Sequence, residues 1–188
     1  MKEIALHLLD IAENSLEAGA TQIRIKVVVT PLGMLEILIQ DDGKGMDKEM
    51  LQRTADPFFT SRTTRRVGMG IPMFRQHAEL AGGSLEIFSK QGEGTTLKAT
   101  FVVGHPDIQP FGDIEGSWVL LAALHNEVNI ILQCETPEGT FEISSNQVKQ
   151  ELDIENINET ALKSDLKRLI RNNLSAIGLT DKIIDNKK

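Results

Sequence analysis

QIRIKVVV (residues 22–29), TPLG (30–33) and MLEILIQ (34–40) settle the architecture. Ile23, Ile25, Val27 and Val29 alternate with Arg24, Lys26 and Val28, which is the period of a strand with one buried face. Leu35, Ile37 and Ile39 repeat the pattern. Thr30-Pro31-Leu32-Gly33 between them is turn chemistry, so the two runs form an antiparallel hairpin. Adjacent paired strands disfavour a doubly wound parallel sheet, whose strands must be separated by crossover helices.

Working outward, residues 3–18 (EIALHLLDIAENSLEA) read as a helix stopped at Gly19, a residue that tolerates the left-handed cap conformation. Asp47 is a good N-cap for a short helix over 47–54. Residues 55–70 lack a period and read as loop, followed by a helix over 71–81 that ends at Gly82-Gly83. Residues 84–90 and 95–103 read as a second hairpin around Gln91-Gly92-Glu93-Gly94. The expected class is α+β: a two-layer α/β sandwich with a mixed, mostly antiparallel sheet and helices on one face.

After His105-Pro106 the texture changes. A short helix over 115–124, a hairpin of 128–135 and 140–144, a helical turn or two over 146–152 and an amphipathic helix over 159–177 are expected. These residues either pack on the first sheet or form a dimer or partner surface. The expected division is residues 1–104 as one domain and 105–188 as a small acidic appendage.

The 188 residues carry 20 Lys+Arg and 27 Asp+Glu, a net charge of −7. That balance argues against sequence-independent binding of nucleic acid or an anionic membrane. The charge is unevenly shared: residues 1–104 hold 12 basic and 13 acidic side chains, a net of −1, and residues 105–188 hold 8 and 14, a net of −6. The longest apolar run, Trp118–Leu124, is far short of the roughly 20 residues that span a membrane. The lone Cys134 excludes an intrachain disulfide, and a cytoplasmic location is expected.

Chemistry gathers at four places. On the first helix His7, Asp10, Asn14 and Glu17 share a polar stripe, with Glu13 at its margin. Asp10 and Asn14, one turn apart, suit a hydrated magnesium ion, and Asp10 could orient or deprotonate a water. Asp41-Asp42-Gly43-Lys44-Gly45-Met46 ends the second strand with a carboxylate beside a sharply turning backbone, able to accept from an exocyclic amine but not to pair with a carbonyl. Asp56-Pro57-Phe58-Phe59-Thr60, Arg62, Arg65, Arg66 and Gly68-Met69-Gly70 form a cationic loop that ends at a helix start, an arrangement suited to phosphate. Gly92-Glu93-Gly94-Thr95-Thr96 turns the second hairpin.

In this order the pieces resemble the GHKL ATPase superfamily, the ATP-binding domains of histidine kinases, anti-sigma-factor serine kinases, mismatch-repair ATPases and type II topoisomerases. Residues 6–20 are similar to the N box, Asp41–Gly45 to the first glycine box, Asp56–Phe59 to the F box, Val67–Ile71 to the second glycine box and Gly92–Thr96 to the final glycine-threonine motif. The resemblance implies the Bergerat fold, with ATP and Mg²⁺ as cofactors. It implies Asn14 as the Mg²⁺ ligand and Asp41 as the acceptor for the adenine amine, with Thr95 or Thr96 assisting. Gly43, Gly45, Met46, Phe58, Gly68, Met69 and Gly70 would surround the nucleotide, and Arg62, Arg65 and Arg66 occupy the lid position. Where hydrolytic members carry a glutamate as general base, this chain has Asp10, one methylene shorter.

The first box begins almost at Met1, so a stand-alone module is expected. Three functions stay open: phosphoryl transfer to a protein partner, slow ATP hydrolysis, or a non-catalytic nucleotide-responsive switch. The acidic half points to a basic protein partner, and a homodimer contact is a further expectation. His7 reads as a residue at the site's edge or on the surface, and His77, His105 and His125 read as structural.

Overall fold

The computed structural model describes residues 3–54 and 70–181. The elements run α1 (Ile4–Glu17), β1 (Gln22–Val29), β2 (Met34–Asp41), α2 (Lys48–Arg53), α3 (Gly70–Leu80), β3 (Leu85–Lys90) and β4 (Gly94–Val102). They continue with α4 (Ile114–Leu124), β5 (Asn129–Thr136), β6 (Gly139–Ser144), α5 (Ser145–Glu151) and α6 (Thr160–Ala176). All of the expected helices and strands form, with ends within a residue or so of the expected positions.

The strands make one six-stranded sheet in the order β3-β4-β2-β1-β5-β6. Four neighbouring pairs are antiparallel, and β1 with β5 is parallel. The alternation that marked the first hairpin now has a cause: Ile23, Ile25, Val27, Leu35, Ile37 and Ile39 are buried under helices. On the other face Lys26 pairs with Glu135 at 2.8 Å and Lys98 with Glu36 at 3.0 Å. Helices α3, α1, α4 and α6 lie side by side across the buried face, each touching the next. This is the expected two-layer arrangement.

The C-terminal hairpin packs on the first sheet. β5 runs parallel to β1, from Gln22 opposite Asn129 to Val28 opposite Glu135. One hydrophobic core runs from Ile4 to Leu179. α4 is apolar around most of its surface because α1 flanks it on one side and α6 on the other. Trp118, 1% exposed, donates its indole N–H to Ile130 O at 3.2 Å and so ties α4 to β5. The start of α1 has no side-chain cap; Ile4 N and Ala5 N donate instead to Pro110 O and Phe111 O, 3.0 and 2.9 Å away. The segment that follows β4 thereby satisfies two of the free N–H groups at this helix start.

Among the described residues no helix is long and apolar enough to cross a membrane.

Candidate nucleotide site

The C-terminal end of β2 brings the site together. Asp41 stands opposite Thr95 of β4, on the buried face of the sheet beneath α1. Its Oδ2 accepts the hydroxyl of Ser15 at 2.7 Å, and its Oδ1 accepts the N–H groups of Gly43 at 3.0 Å and Thr95 at 3.2 Å. Three donors therefore hold one nearly buried carboxylate in a single orientation.

Asp42, one residue on, points away and has a different task. It accepts the N–H and the hydroxyl of Thr21, at 2.8 and 2.5 Å, and the N–H of Gln22 at 2.8 Å. Slight burial pushes its carboxyl up, but these hydrogen bonds outweigh that and hold it below the usual carboxylate range. Asp42 anchors the loop to the start of β1.

The glycines of the loop are needed for space. A Cβ on Gly45, whose φ is +62°, would lie 2.0 Å from Lys90 O. One on Gly43 would press on Ala18 and on the Asp41 carboxylate, at 3.0 and 3.1 Å. Lys44 is clamped on both sides, its N–H to Ala18 O and its carbonyl to Gly92 N. Met46 N donates to Ser89 Oγ at 2.8 Å. The first glycine box, the end of α1 and the final hairpin turn thus form one hydrogen-bonded rim.

Asp10 and Asn14 are both half-buried on α1. Gly70 opens α3 directly against Asp10: a Cβ built there would lie 1.6 Å from Asp10 Oδ2. A carboxylate at that place interacts favourably with the positive end of the helix dipole. The structure therefore joins Asp10 to Gly70, and Asp41 to Gly43, Thr95 and the rim containing Gly45 and Met46. It does not bring Thr96 to the site. Thr96 stands opposite Gln40 and Phe88, and the alternation of strand side chains puts it on the other face of the sheet. Phe58, Arg62, Arg65, Arg66, Gly68 and Met69 lie outside the described residues.

His7 is not at the site's edge. It is fully buried, stacked on Phe74 with ring centroids 4.7 Å apart, and its Nε2 lies 3.1 Å from both His77 Nδ1 and Gln109 Oε1. Burial, then the adjacent His77, push its pKa down to about 4.

Two site residues escaped the sequence reading: Ser15 and Ser89. Ser15 carried a readable signal, since it continues the Ile4, Leu8, Ile11 stripe that faces the core. A hydroxyl at such a position needs a buried partner. Ser89 carried none.

The profile of the family described as histidine kinase-, DNA gyrase B-, and HSP90-like ATPase matches residues 2–105. The chain belongs to this family. The matched residues include Asp10, Asn14, Ser15, Asp41, Gly70, Ser89 and Thr95. Among relatives, the non-motile and phage-resistance protein of Caulobacter vibrioides is 34% identical over 114 residues, covering 57% of this chain and 14% of that protein. The histidine protein kinase DivJ of the same species is 32% identical over 110 residues, covering 55% and 18%. The sensor protein kinase FleS of Pseudomonas aeruginosa is 34% identical over 92 residues, covering 47% and 22%. The chain therefore spans less than a quarter of these relatives. The crystal structure of the N-terminal domain of a DNA repair protein superposes with a TM-score of 0.53 at 15% identity, over 77% of this chain and 52% of that one. That likeness concerns the fold, and it takes in a larger share of the chain than residues 2–105 make up.

Proposed function

We propose that this histidine kinase-like ATPase domain binds ATP with Mg²⁺ and passes the γ-phosphate to a protein partner or to water. The pinned Asp41 carboxylate carries the reading. It is an acceptor held in one orientation by three donors, beside a loop whose glycines let the backbone pack against Ala18 and Lys90. The kinases among the relatives favour transfer over simple hydrolysis. Asn14, a half-buried residue one turn from Asp10, fits the role of magnesium ligand through its side-chain amide oxygen. When bound, magnesium would neutralise charge on the phosphates. The net of −6 over residues 105–188 favours a basic protein as partner, with the contact weakened by salt.

A second reading has its own support. Asp10 rests on the first residue of α3, so its carboxylate could hold a helix in place without acting as base. The domain would then be a nucleotide-responsive switch.

Incubation with γ-labelled ATP, alone and with cell extract, separates these readings. Label on a protein supports a kinase. Phosphate release that disappears in Asp10→Asn supports an ATPase. Intact nucleotide binding with neither supports the switch. Loss of the charged hydrogen bond in Asp41→Asn should weaken ATP binding by about 1.5–3 kcal/mol, roughly 10- to 100-fold. Unchanged ATP affinity in that variant refutes the site.

A further inference from the structure

Ser89 stands opposite Thr95, and Thr95 stands opposite Asp41, so the three residues form one row across β3, β4 and β2 on the helix-bearing face. The Ser89 hydroxyl oxygen has three partners: Met46 N at 2.8 Å, Gly94 O at 3.0 Å and Thr95 Oγ1 at 2.9 Å. A hydroxyl owns one proton and two lone pairs. The Gly94 carbonyl can only accept, so it takes the Ser89 proton. The Met46 amide can only donate, so it takes one lone pair. What remains for Thr95 is the second lone pair, and the Thr95 hydroxyl must donate to it. This assignment alone satisfies all three contacts.

The consequence lies at Thr95. Its single proton is committed to Ser89, so its lone pairs are all it can offer to anything else. Asp41 beside it also only accepts. The row therefore offers acceptors and no side-chain donor.

We propose that Ser89 is a positioning residue that sets base specificity. By holding the Thr95 proton it keeps the base-reading edge acceptor-only, so that an amine on the purine six-position is welcomed and a carbonyl there is refused. A freely turning Thr95 hydroxyl could donate to a carbonyl, and the refusal would soften. The inference rests on the reading of Asp41 and Thr95 as the adenine edge.

Calorimetric titration of the whole chain with ATP and with inosine triphosphate, which carries a carbonyl in place of the amine, tests it. Melting curves establish that each variant is folded. Ser89→Ala should lower the preference for ATP over inosine triphosphate by about tenfold, the weight of one hydrogen bond. Ser89→Thr keeps the hydroxyl and should keep the wild-type preference. Adding Thr95→Val to Ser89→Ala removes the released donor and should restore most of the preference. A preference unmoved by Ser89→Ala in a folded protein overturns the proposal. So does an equal fall in the double variant, which would trace the effect to the lost Met46 contact. A wild-type chain that binds both nucleotides equally overturns the adenine reading itself and is told apart from the other failures because no variant is involved.

Discussion

Replacing Ser15 with alanine isolates the contact that orients the site. Ser15 is 3% exposed, and its hydroxyl meets Asp41 Oδ2 at 2.7 Å. A hydrogen bond to a charged group is worth about 1.5–3 kcal/mol. Against that, alanine is a better helix former than serine by roughly 0.5 kcal/mol. Asp41 also keeps its two backbone donors on Oδ1. A net destabilisation of about 1–2 kcal/mol follows, or about 3–6 °C in Tm for a chain of this size. The assay is thermal and urea unfolding of the wild type, Ser15→Ala, Asp41→Asn and the double variant. Because the hydroxyl spends its strongest contact on Asp41, the Ser15→Ala cost should shrink in the Asp41→Asn background, giving a coupling of about 1 kcal/mol. Equal costs in the two backgrounds would show that Ser15 stabilises the helix by some other route, and the account of a pinned carboxylate would fail.

The remaining predictions concern packing and protonation. His7 has its pKa depressed to about 4, so between roughly pH 6.5 and 4 the unfolded chain binds the extra proton and the folded one does not. Stability is then full above pH 6.5 and falls by about 1.4 kcal/mol per pH unit as pH drops through that window; the lowered pKa of His77 acts in the same direction. Urea midpoints across pH 4–7.5 should trace this slope, and His7→Leu should flatten it. An alanine in a helix normally stabilises relative to glycine by about 1 kcal/mol, but Gly70→Ala should destabilise because its Cβ collides with Asp10; Asp10→Ala in the same chain should recover part of the loss in a melt. Trp118 is the single tryptophan and packs against β5, so unfolding followed by its fluorescence should coincide with unfolding followed by far-UV circular dichroism. Two separate midpoints would instead support residues 105–188 as an independent unit.

Much of the fold was legible because it rests on local periodicity. Alternation in 22–29 and 34–40 marks strands whatever they pair with, and Thr30–Gly33 brings the two together through a short turn. The first glycine box was legible for a similar reason: a backbone that must turn or pass close to another chain segment excludes side chains, as at Gly45 against Lys90. The charge imbalance likewise needed only counting.

Partners far apart in the chain were decided by packing. A helical wheel sets His7 beside Asp10 and Asn14, yet Phe74, His77 and Gln109 close over it, and none of those contacts is local. Two adjacent aspartates look alike as letters; strand alternation turns Asp41 toward Ser15 and Thr95, while Asp42 reaches the start of β1. The same alternation separates Thr95 from Thr96. The C-terminal hairpin was readable as a hairpin, but its place beside β1 was not, because a parallel pairing has no turn to announce it. Residue order thus determined which segments are helix or strand and which motifs they carry. Only the tertiary structure decided which side chains meet, since a hydrogen bond between residues dozens of positions apart depends on the packing of every element between them.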